Sequence, residues 1–181
     1  MSRFETMTFP VFSQFVNDWA IVAAGNMEHH NGCTIGWGSM GTLWTRPEGT
    51  GSIITVYVHP ARYTLEFLKS NSTFTVSFFP VKYKKALGYM GYRSGRDEDK
   101  ATKAGLTPIP VGDSVGYKEA DLTFLCRKLY QHPFSKEDLA PDIQAYYKDH
   151  PKAYPPDENG EWQPHWVFIG EILDVNDSRT R

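Results

Sequence analysis

Short apolar runs separated by glycine, proline and polar turns dominate the pattern of this chain. The run 19–24 is apolar and ends at Gly25-Asn26, and the β-branched run Ser52–Val58 ends at His59-Pro60. Runs of this length that close on turn residues are typical of buried strands. We predict further strands over 73–79, 120–130 and 165–175, and a kinked, glycine-rich ribbon that continues to Leu43.

Helical spacing is confined to short stretches of the sequence. Leu65 and Leu68 follow Pro60 and predict a helix over 61–69, and two more helices are expected over 82–90 and 138–148. Asp97 is expected to cap a further helix over 98–104. These elements together predict a mainly β fold, an antiparallel sheet with a few helices that suits a small barrel.

The length of the chain sets its domain organisation. With 181 residues, of which 40% are hydrophobic, it can bury one sizeable core, and we expect a single domain over 1–181. Between the last two predicted strands, residues 131–164 hold many of the prolines and charges. An excursion of that length is usually a lid, an oligomer arm or a mobile loop.

Charge and apolar content narrow the class of partner. The net charge is -2 and no strongly basic run occurs, so we expect no nucleic acid partner. The sequence lacks the roughly 18 consecutive apolar residues of a membrane helix and has an acid at position 5, which favours a cytoplasmic protein without a membrane partner. Cys33 and Cys126 are expected to be reduced thiols. Small molecules or other proteins are the expected partners.

The segment Asn31–Trp44 carries the most distinctive chemistry. Its glycines allow close approach of the backbone to a ligand, its Thr and Ser residues offer hydroxyl groups, and its tryptophans offer flat apolar walls. This mixture suits a flavin nucleotide. It equally suits a glycine-kinked ribbon whose tryptophans are core residues, and the segment alone leaves both interpretations open.

Other chemistry has weaker support in the sequence. His29, His30 and Cys33 are residue types that bind metals, but a structural zinc site needs four ligands, and we predict no metal site. The sequence has no Gly-x-Ser-x-Gly elbow and no phosphate-binding P-loop, and no Gly-x-Gly-x-x-Gly follows a strand and opens a helix. Hydrolase, phosphotransferase and Rossmann-type functions therefore lack a sequence motif.

Four motifs follow one another along the chain: Asn31–Trp44, Val56–Thr64, Asn71–Pro80, and Ser94–Asp97 with Lys100. In this order they resemble the flavin reductase-like, FMN-binding split-barrel family, especially its flavoredoxin-type branch. The similarity covers about residues 15 to 130 and returns at 169–172. The resemblance implies a split β-barrel of antiparallel Greek-key type and a homodimer with FMN near the interface.

The resemblance also implies a set of cofactor-binding residues. Arg62 and Thr64 match the family's phosphate clamp, and a guanidinium group suits a phosphate dianion. Ser77, Ser94 and Lys100 would complete the site. Interpretations that need no cofactor stay open for three of these residues. Arg62 would be a solvated residue at a helix start, Trp37 a core residue, and Cys33 a small packed thiol. The segment that would line the flavin ring and ribityl chain contributes Asn31, Cys33, Thr34, Ile35, Gly36 and Trp37.

An FMN-dependent oxidoreductase is the function that the resemblance implies. Because the flavin carries the chemistry, no side chain is assigned as catalytic. The first hypothesis is a flavin or small-molecule reductase that uses NADH or NADPH. The second is a flavoredoxin-type electron-transfer protein reduced by a redox protein partner, and the third is a binding module that has lost its flavin. Whether Tyr146, Tyr147, Trp162 or His165 covers the flavin is left open.

Overall fold

The computed structural model describes residues 6–47 and 49–179, and its main feature is a seven-stranded antiparallel sheet. Two further short strands pair with each other as a separate hairpin. The strands in chain order are β1 (Ala20–Gly25), β2 (His30–Ile35), β3 (Gly38–Arg46), β4 (Gly49–Val58), β5 (Thr73–Phe78), β6 (Pro108–Val111), β7 (Ser114–Tyr117), β8 (Leu122–Pro133) and β9 (Trp166–Asp177).

The strand order of the large sheet is β2-β1-β5-β8-β9-β4-β3, and every neighbouring pair is antiparallel. Strands β2 and β4 come from opposite ends of this order yet contact each other, so the sheet curls around its core. Within the described residues no ladder joins β2 to β3, and the curled sheet is open at that seam. The predicted mainly β, antiparallel fold is confirmed.

Strand β1 is buried on both faces, which explains why its sequence is continuously apolar. Ala20, Val22 and Ala24 point into the core enclosed by the sheet. Ile21 and Ala23 point outward into a second core, which β7 and neighbouring helices cover. A strand with only one buried face would instead alternate between apolar and polar residues.

The helices are short and lie outside the sheet. A brief α-helix, α1 (Val11–Ser13), continues as a π-helical segment over Gln14–Asp18. A 3-10 turn over Val81–Tyr83 leads into the third helix. The remaining helices are α2 (Thr64–Ser70), α3 (Lys84–Tyr92), α4 (Lys100–Lys103) and α5 (Pro141–Asp149).

The predicted cap of the fourth helix is wrong by two residues. Asp99, not Asp97, caps α4, because its carboxylate accepts hydrogen bonds from the backbone N–H of Thr102 at 3.1 Å and from the Thr102 hydroxyl at 2.7 Å. The helix therefore begins at Lys100. An aspartate three residues before a threonine can accept hydrogen bonds from both the backbone N–H and the hydroxyl of that threonine. These two hydrogen bonds fix the start of the helix.

The long connection between β8 and β9 is named here the arm, residues 134–164. It contains α5 and a proline-rich turn, and it returns to the sheet immediately before His165. In residues 6–47 and 49–179, no helix combines the length and apolar character that crossing a membrane requires.

Candidate functional site

Two adjoining cavities form one cleft at the seam where the sheet is open. The smaller, of about 170 Å³, contains Trp37, His59, Tyr154 and His165 and is named here the aromatic end. The larger, of about 380 Å³, is named here the cationic end, and its charged lining residues are Arg62, Arg93, Lys100 and Lys152. Cys33 and Arg62 line both cavities, so the two ends adjoin each other.

The connection between β2 and β3 forms one wall of the aromatic end, and the N-terminal helical segment holds it in place. Phe15 is buried beneath it, and a Cβ atom on Gly38 would overlap the Phe15 ring. Only glycine allows this close approach of ring and backbone. The glycine-rich sequence therefore serves to seat the turn against the core.

Arg62 lies in the turn after β4, where its backbone N–H donates to the carbonyl of His59 at 2.9 Å. Its Nη1 donates to the carbonyl of Gly91 at 2.8 Å, at the end of α3. The side chain is half-buried and faces both cavities. This placement excludes the interpretation of Arg62 as a merely solvated residue at a helix start.

Lys100 is only 5% exposed, and its ammonium group donates to the carbonyls of Met90 and Arg93 at 3.0 and 3.2 Å. Burial lowers the pKa of Lys100, and the nearby charge of Arg62 lowers it further. Within the described residues, neither Lys100 nor Arg62 pairs with a carboxylate. Buried charge without a counterion is unfavourable, so this pair of cations is suited to an anionic ligand.

Two buried histidines at the aromatic end are held in the neutral state. Burial lowers the pKa of His59 to about 4, and burial together with His59 and Arg62 lowers the pKa of His165 to about 3. The backbone N–H of Ala61 donates to Nδ1 of His59 at 3.2 Å, which leaves Nε2–H to donate to the carbonyl of Gln163 at 3.1 Å. A neutral imidazole with one donor and one acceptor fits these two partners.

Tyr147 of α5 contacts His165 at two points. Its hydroxyl accepts the backbone N–H of His165 at 3.3 Å, and its oxygen lies 2.6 Å from Nδ1 of the same imidazole. A hydroxyl can donate one hydrogen bond and accept two, so it satisfies His165 in either neutral tautomer. The arm thereby holds in place a residue that lines the cleft.

The arm also builds the outer wall of the aromatic end. The Tyr154 ring lies 5.3 Å from the His165 ring, 5.4 Å from His59 and 6.0 Å from Trp37, measured between centroids. Trp37 is 44% exposed and its ring lies 4.6 Å from that of His165. Trp37 is therefore a wall of the cleft and not a core residue.

The structure gathers most of the residues proposed from sequence at this cleft. The hydroxyl of Thr34 donates to the carbonyl of Leu87 at 2.6 Å, and the hydroxyl of Ser94 accepts the backbone N–H of Arg96 at 3.2 Å. Both hydroxyls thus have partners within the protein. The sequence-proposed residues that line the cleft are Cys33, Thr34, Ile35, Gly36, Trp37, Arg62, Ser94 and Lys100.

Three proposed residues do not line the cleft. Asn31 faces a separate cavity of about 310 Å³ on the other side of Lys100. Thr64 is fully buried beneath the site and its hydroxyl donates to Asn31 at 3.5 Å. Ser77 is fully buried between β5 and β8, where its hydroxyl lies 3.1 Å from that of Thr123.

Cys33 lies where the two cavities meet. Burial raises the pKa of its thiol, although a hydrogen bond with Thr64 and the charges of Lys100 and Arg62 act in the opposite direction. Both Cys33 and Cys126 are free and buried. The thiol is thus kept protonated and behaves as a small packed group, since the thiolate is the reactive form.

Several cleft residues are absent from the set proposed on sequence. His59 lies within the Val56–Thr64 motif but was not proposed as a cofactor-binding residue, and Arg93, Lys152 and Tyr154 lie in segments without a recognisable motif. His165 and Tyr147 belong to the aromatic set left open above. The separation of His59 from its partner Gln163 by 104 positions shows why no local signal identifies this cluster.

Comparison with known structures finds the same fold at low sequence identity. A flavoredoxin from Methanosarcina acetivorans is 20% identical, with a TM-score of 0.62 over 88% of this chain and 68% of its own. An FMN-binding protein from Thermus thermophilus, with bound p-hydroxybenzaldehyde, is 20% identical, with a TM-score of 0.63 over 98% and 81%. An NADH:FAD oxidoreductase from Streptomyces globisporus is 14% identical, with a TM-score of 0.57 over 88% and 74%.

A search of curated protein sequences finds no match. A family model does match, and it covers all of the described sheet and the whole arm. Since the model of the flavin reductase like domain matches residues 12–180, this chain belongs to the flavin reductase-like family.

Proposed function

We propose that this protein binds FMN across the cleft and acts as an oxidoreductase, a flavin or small-molecule reductase that takes electrons from NADH or NADPH. Arg62 and Lys100 hold the phosphate at the cationic end. The turn from Cys33 to Trp37 lines the ring system, which lies toward the aromatic end. No other titratable group is required for catalysis, because the bound flavin supplies the hydride and electron chemistry.

One observation carries this proposal: two half-buried or buried cations face one cavity, and among the described residues their hydrogen bonds go only to main-chain carbonyls. Arg62 donates to Gly91, and Lys100 donates to Met90 and Arg93. Folding two cations together without a carboxylate costs free energy, which a bound phosphate dianion would offset.

The aromatic end supports the proposal because its described lining residues are uncharged apart from Arg62, which it shares with the cationic end. Trp37 and Tyr154 offer flat surfaces, and the Nε2 atom of neutral His165 has no hydrogen-bond partner in the described residues. Apolar walls with a few placed donors are the usual lining of a site for a planar ligand. These residues orient the ring and exclude water from one side of it.

Absorbance of the purified protein tests the proposal. We expect a yellow protein, or one that turns yellow with FMN, whose flavin band bleaches in stopped-flow mixing with NADH or NADPH. A protein that stays colourless after incubation with FMN would support the flavin-free binding module instead. A bound flavin that neither nicotinamide reduces would remove the reductase function while leaving FMN binding intact.

A flavoredoxin-type electron carrier is the second candidate function. It is favoured by the packing of Tyr154 and His165 against Trp37, which restricts access of a second planar ligand at the aromatic end. The sequence also offers no nicotinamide-binding motif. In this case flavin reduction would need a ferredoxin-like donor, and many turnovers supported by NADPH alone would contradict it.

We also propose that the protein forms a homodimer with the cleft near the interface. Tyr92 supports this, because its side chain is 81% exposed at the rim of the cationic end. Aromatic side chains are enriched at interfaces between subunits. Sedimentation should give twice the chain mass of 20.6 kDa, and a monomer mass would contradict the dimer.

A further inference from the structure

We propose that the cationic end binds a second phosphoryl group beside the flavin phosphate, in a subsite formed by Lys152 of the arm and Arg93. The inference rests on the proposed FMN site, because it assigns the charges that the first phosphate leaves over. It extends that function, because the second phosphoryl group would belong either to a larger flavin nucleotide or to a further ligand.

The charge of the cavity exceeds what one phosphate can neutralise. Its charged lining residues are Arg62, Arg93, Lys100 and Lys152, and no aspartate or glutamate of the described chain lines it. A phosphate monoester carries a charge of about -1.5 to -2 at neutral pH. Arg62 and Lys100 suffice for it, and the other two cations remain.

Arg93 is only partly neutralised by the protein. Its Nε lies 3.9 Å from Glu98, but that carboxylate also pairs with Lys103 and accepts a hydrogen bond from Tyr89 at 2.7 Å. The guanidinium group lies over the Tyr92 ring, 5.4 Å from its centroid. The stacked position leaves the planar fork of Arg93 available to a phosphate at the rim.

Lys152 approaches the same cavity from the arm. It makes no hydrogen bond or ion pair within the described residues, and its side chain is exposed. The backbone beside it is held in place, because the next two residues, Ala153 and Tyr154, both donate backbone N–H groups to the carbonyl of His150 at 3.0 and 2.9 Å. Tyr154 in turn packs against His165 and His59. The same short segment of the arm therefore provides Tyr154 to the wall of the aromatic end and Lys152 to the rim of the cationic end.

A second phosphoryl group could reach this rim from two sources. It could belong to the flavin, as in the diphosphate of FAD, or to a phosphorylated nucleotide donor, as in the 2′-phosphate of NADPH. The chemistry at Lys152 and Arg93 is the same in both cases. Separate titrations distinguish them.

The first titration measures binding of FMN, FAD and riboflavin to the flavin-free protein by fluorescence quenching. If the flavin is the source, Lys152→Ala weakens FAD about threefold to fivefold and leaves FMN and riboflavin unchanged. Lys148→Ala is the matched control, because Lys148 lies on α5 of the same arm and does not line the cavity. The loss should shrink as salt rises.

The second titration measures binding of adenosine 2′,5′-bisphosphate and adenosine 5′-monophosphate to the FMN-loaded protein by calorimetry. If the donor is the source, only the bisphosphate should weaken in Lys152→Ala, by a similar factor. Arg93→Gln should also weaken binding of the ligand, FAD or the bisphosphate, whose affinity falls in Lys152→Ala.

Two results would overturn the inference. One is that Lys152→Ala matches Lys148→Ala for every ligand. The other is that Lys152→Ala weakens FMN as much as FAD, which would place Lys152 on the first phosphate. If the wild-type protein binds neither FMN nor FAD, the proposed function itself is contradicted.

Discussion

The two ends of the cleft treat ionisable groups in opposite ways. At the cationic end, Arg62 and Lys100 are cations without carboxylate partners in the part of the chain that the structure describes, whereas the aromatic end keeps His59 and His165 neutral. Arg62 connects the two ends, because its charge also lowers the pKa of His165. Two adjoining cavities can therefore separate a site for an anion from a site for an uncharged ring.

The largest expected effect comes from Lys100→Met, which removes a buried charge from the cationic end. We expect FMN to bind roughly tenfold to a hundredfold more weakly, about 1.5–3 kcal/mol for a charge-assisted hydrogen bond. Riboflavin, which has no phosphate, should bind as it does to wild type. Fluorescence titration with both ligands measures the difference.

Lys103→Met is the control for that variant, because Lys103 is exposed and pairs with Glu98 outside the cleft. It should leave the affinity for FMN unchanged. Equal losses for FMN and riboflavin in Lys100→Met would show that Lys100 supports the fold of the cleft and not the phosphate.

The second largest effect is expected from low pH, which should decrease the free energy of unfolding through the two histidines of the aromatic end. The pKa values of about 4 for His59 and about 3 for His165 lie below the ordinary value of about 6.5 for the unfolded chain. As pH falls below about 6.5, the unfolded chain takes up protons that the folded protein excludes, so the free energy of unfolding decreases. Each imidazole should contribute up to about 2 kcal/mol of loss by pH 5.

Urea denaturation of wild type and His165→Gln at pH 7 and pH 5 measures this effect. The variant should lose less stability between the two pH values than wild type does. The exposed residue His132 provides the control, and His132→Gln should retain the full pH dependence. An identical pH dependence in all three proteins would contradict a neutral His165.

A smaller effect is expected from Trp37→Leu at the aromatic end. The substitution removes the ring beside His165 and Tyr154, and aromatic contacts of this kind are worth about 0.5–1.5 kcal/mol. The affinities for FMN and for riboflavin should fall by the same factor, whereas in Lys100→Met only the affinity for FMN should fall. Trp44→Leu is the matched control, because Trp44 is similarly exposed, at 48%, and lies outside the cleft.

The smallest effect on binding is expected from Ser77→Ala. The hydroxyl is buried against Thr123 and does not line either end of the cleft. Stability should fall by about 1 kcal/mol because a buried hydrogen bond is lost, while FMN affinity stays within twofold. A clear loss of FMN affinity would restore Ser77 to the site that the resemblance implied.

Most of the large sheet could be predicted from the sequence, because its strands are continuous apolar or β-branched runs that end at turns. The predicted strands 19–24 and 73–79 correspond to β1 and β5 within one residue at each end. The β6–β7 hairpin was missed, because Pro108 and Pro110 argue against a strand. The Gly112-Asp113 pair between them is the turn signal that could have revealed it.

The candidate site was only partly predictable. The segment from Cys33 to Trp37, Arg62 and Lys100 do line the same cleft, while their part in binding a cofactor stays a prediction. Thr64 and Ser77 carry the expected residue types but face into the protein. Residue type and motif do not state which face of a strand or helix borders a cavity. That depends on the curl of the whole sheet.

The sequence by itself determined which segments form strands, which turns need glycine and which family the motifs resemble, because each of these follows from neighbouring residues. Only the tertiary structure decided which charges lack a counterion and which histidines are neutral. Those properties depend on contacts between distant parts of the chain, such as Arg62 with Gly91, and Tyr147 with His165. Burial and the loss of water at such contacts, rather than residue type, set the charge of each group.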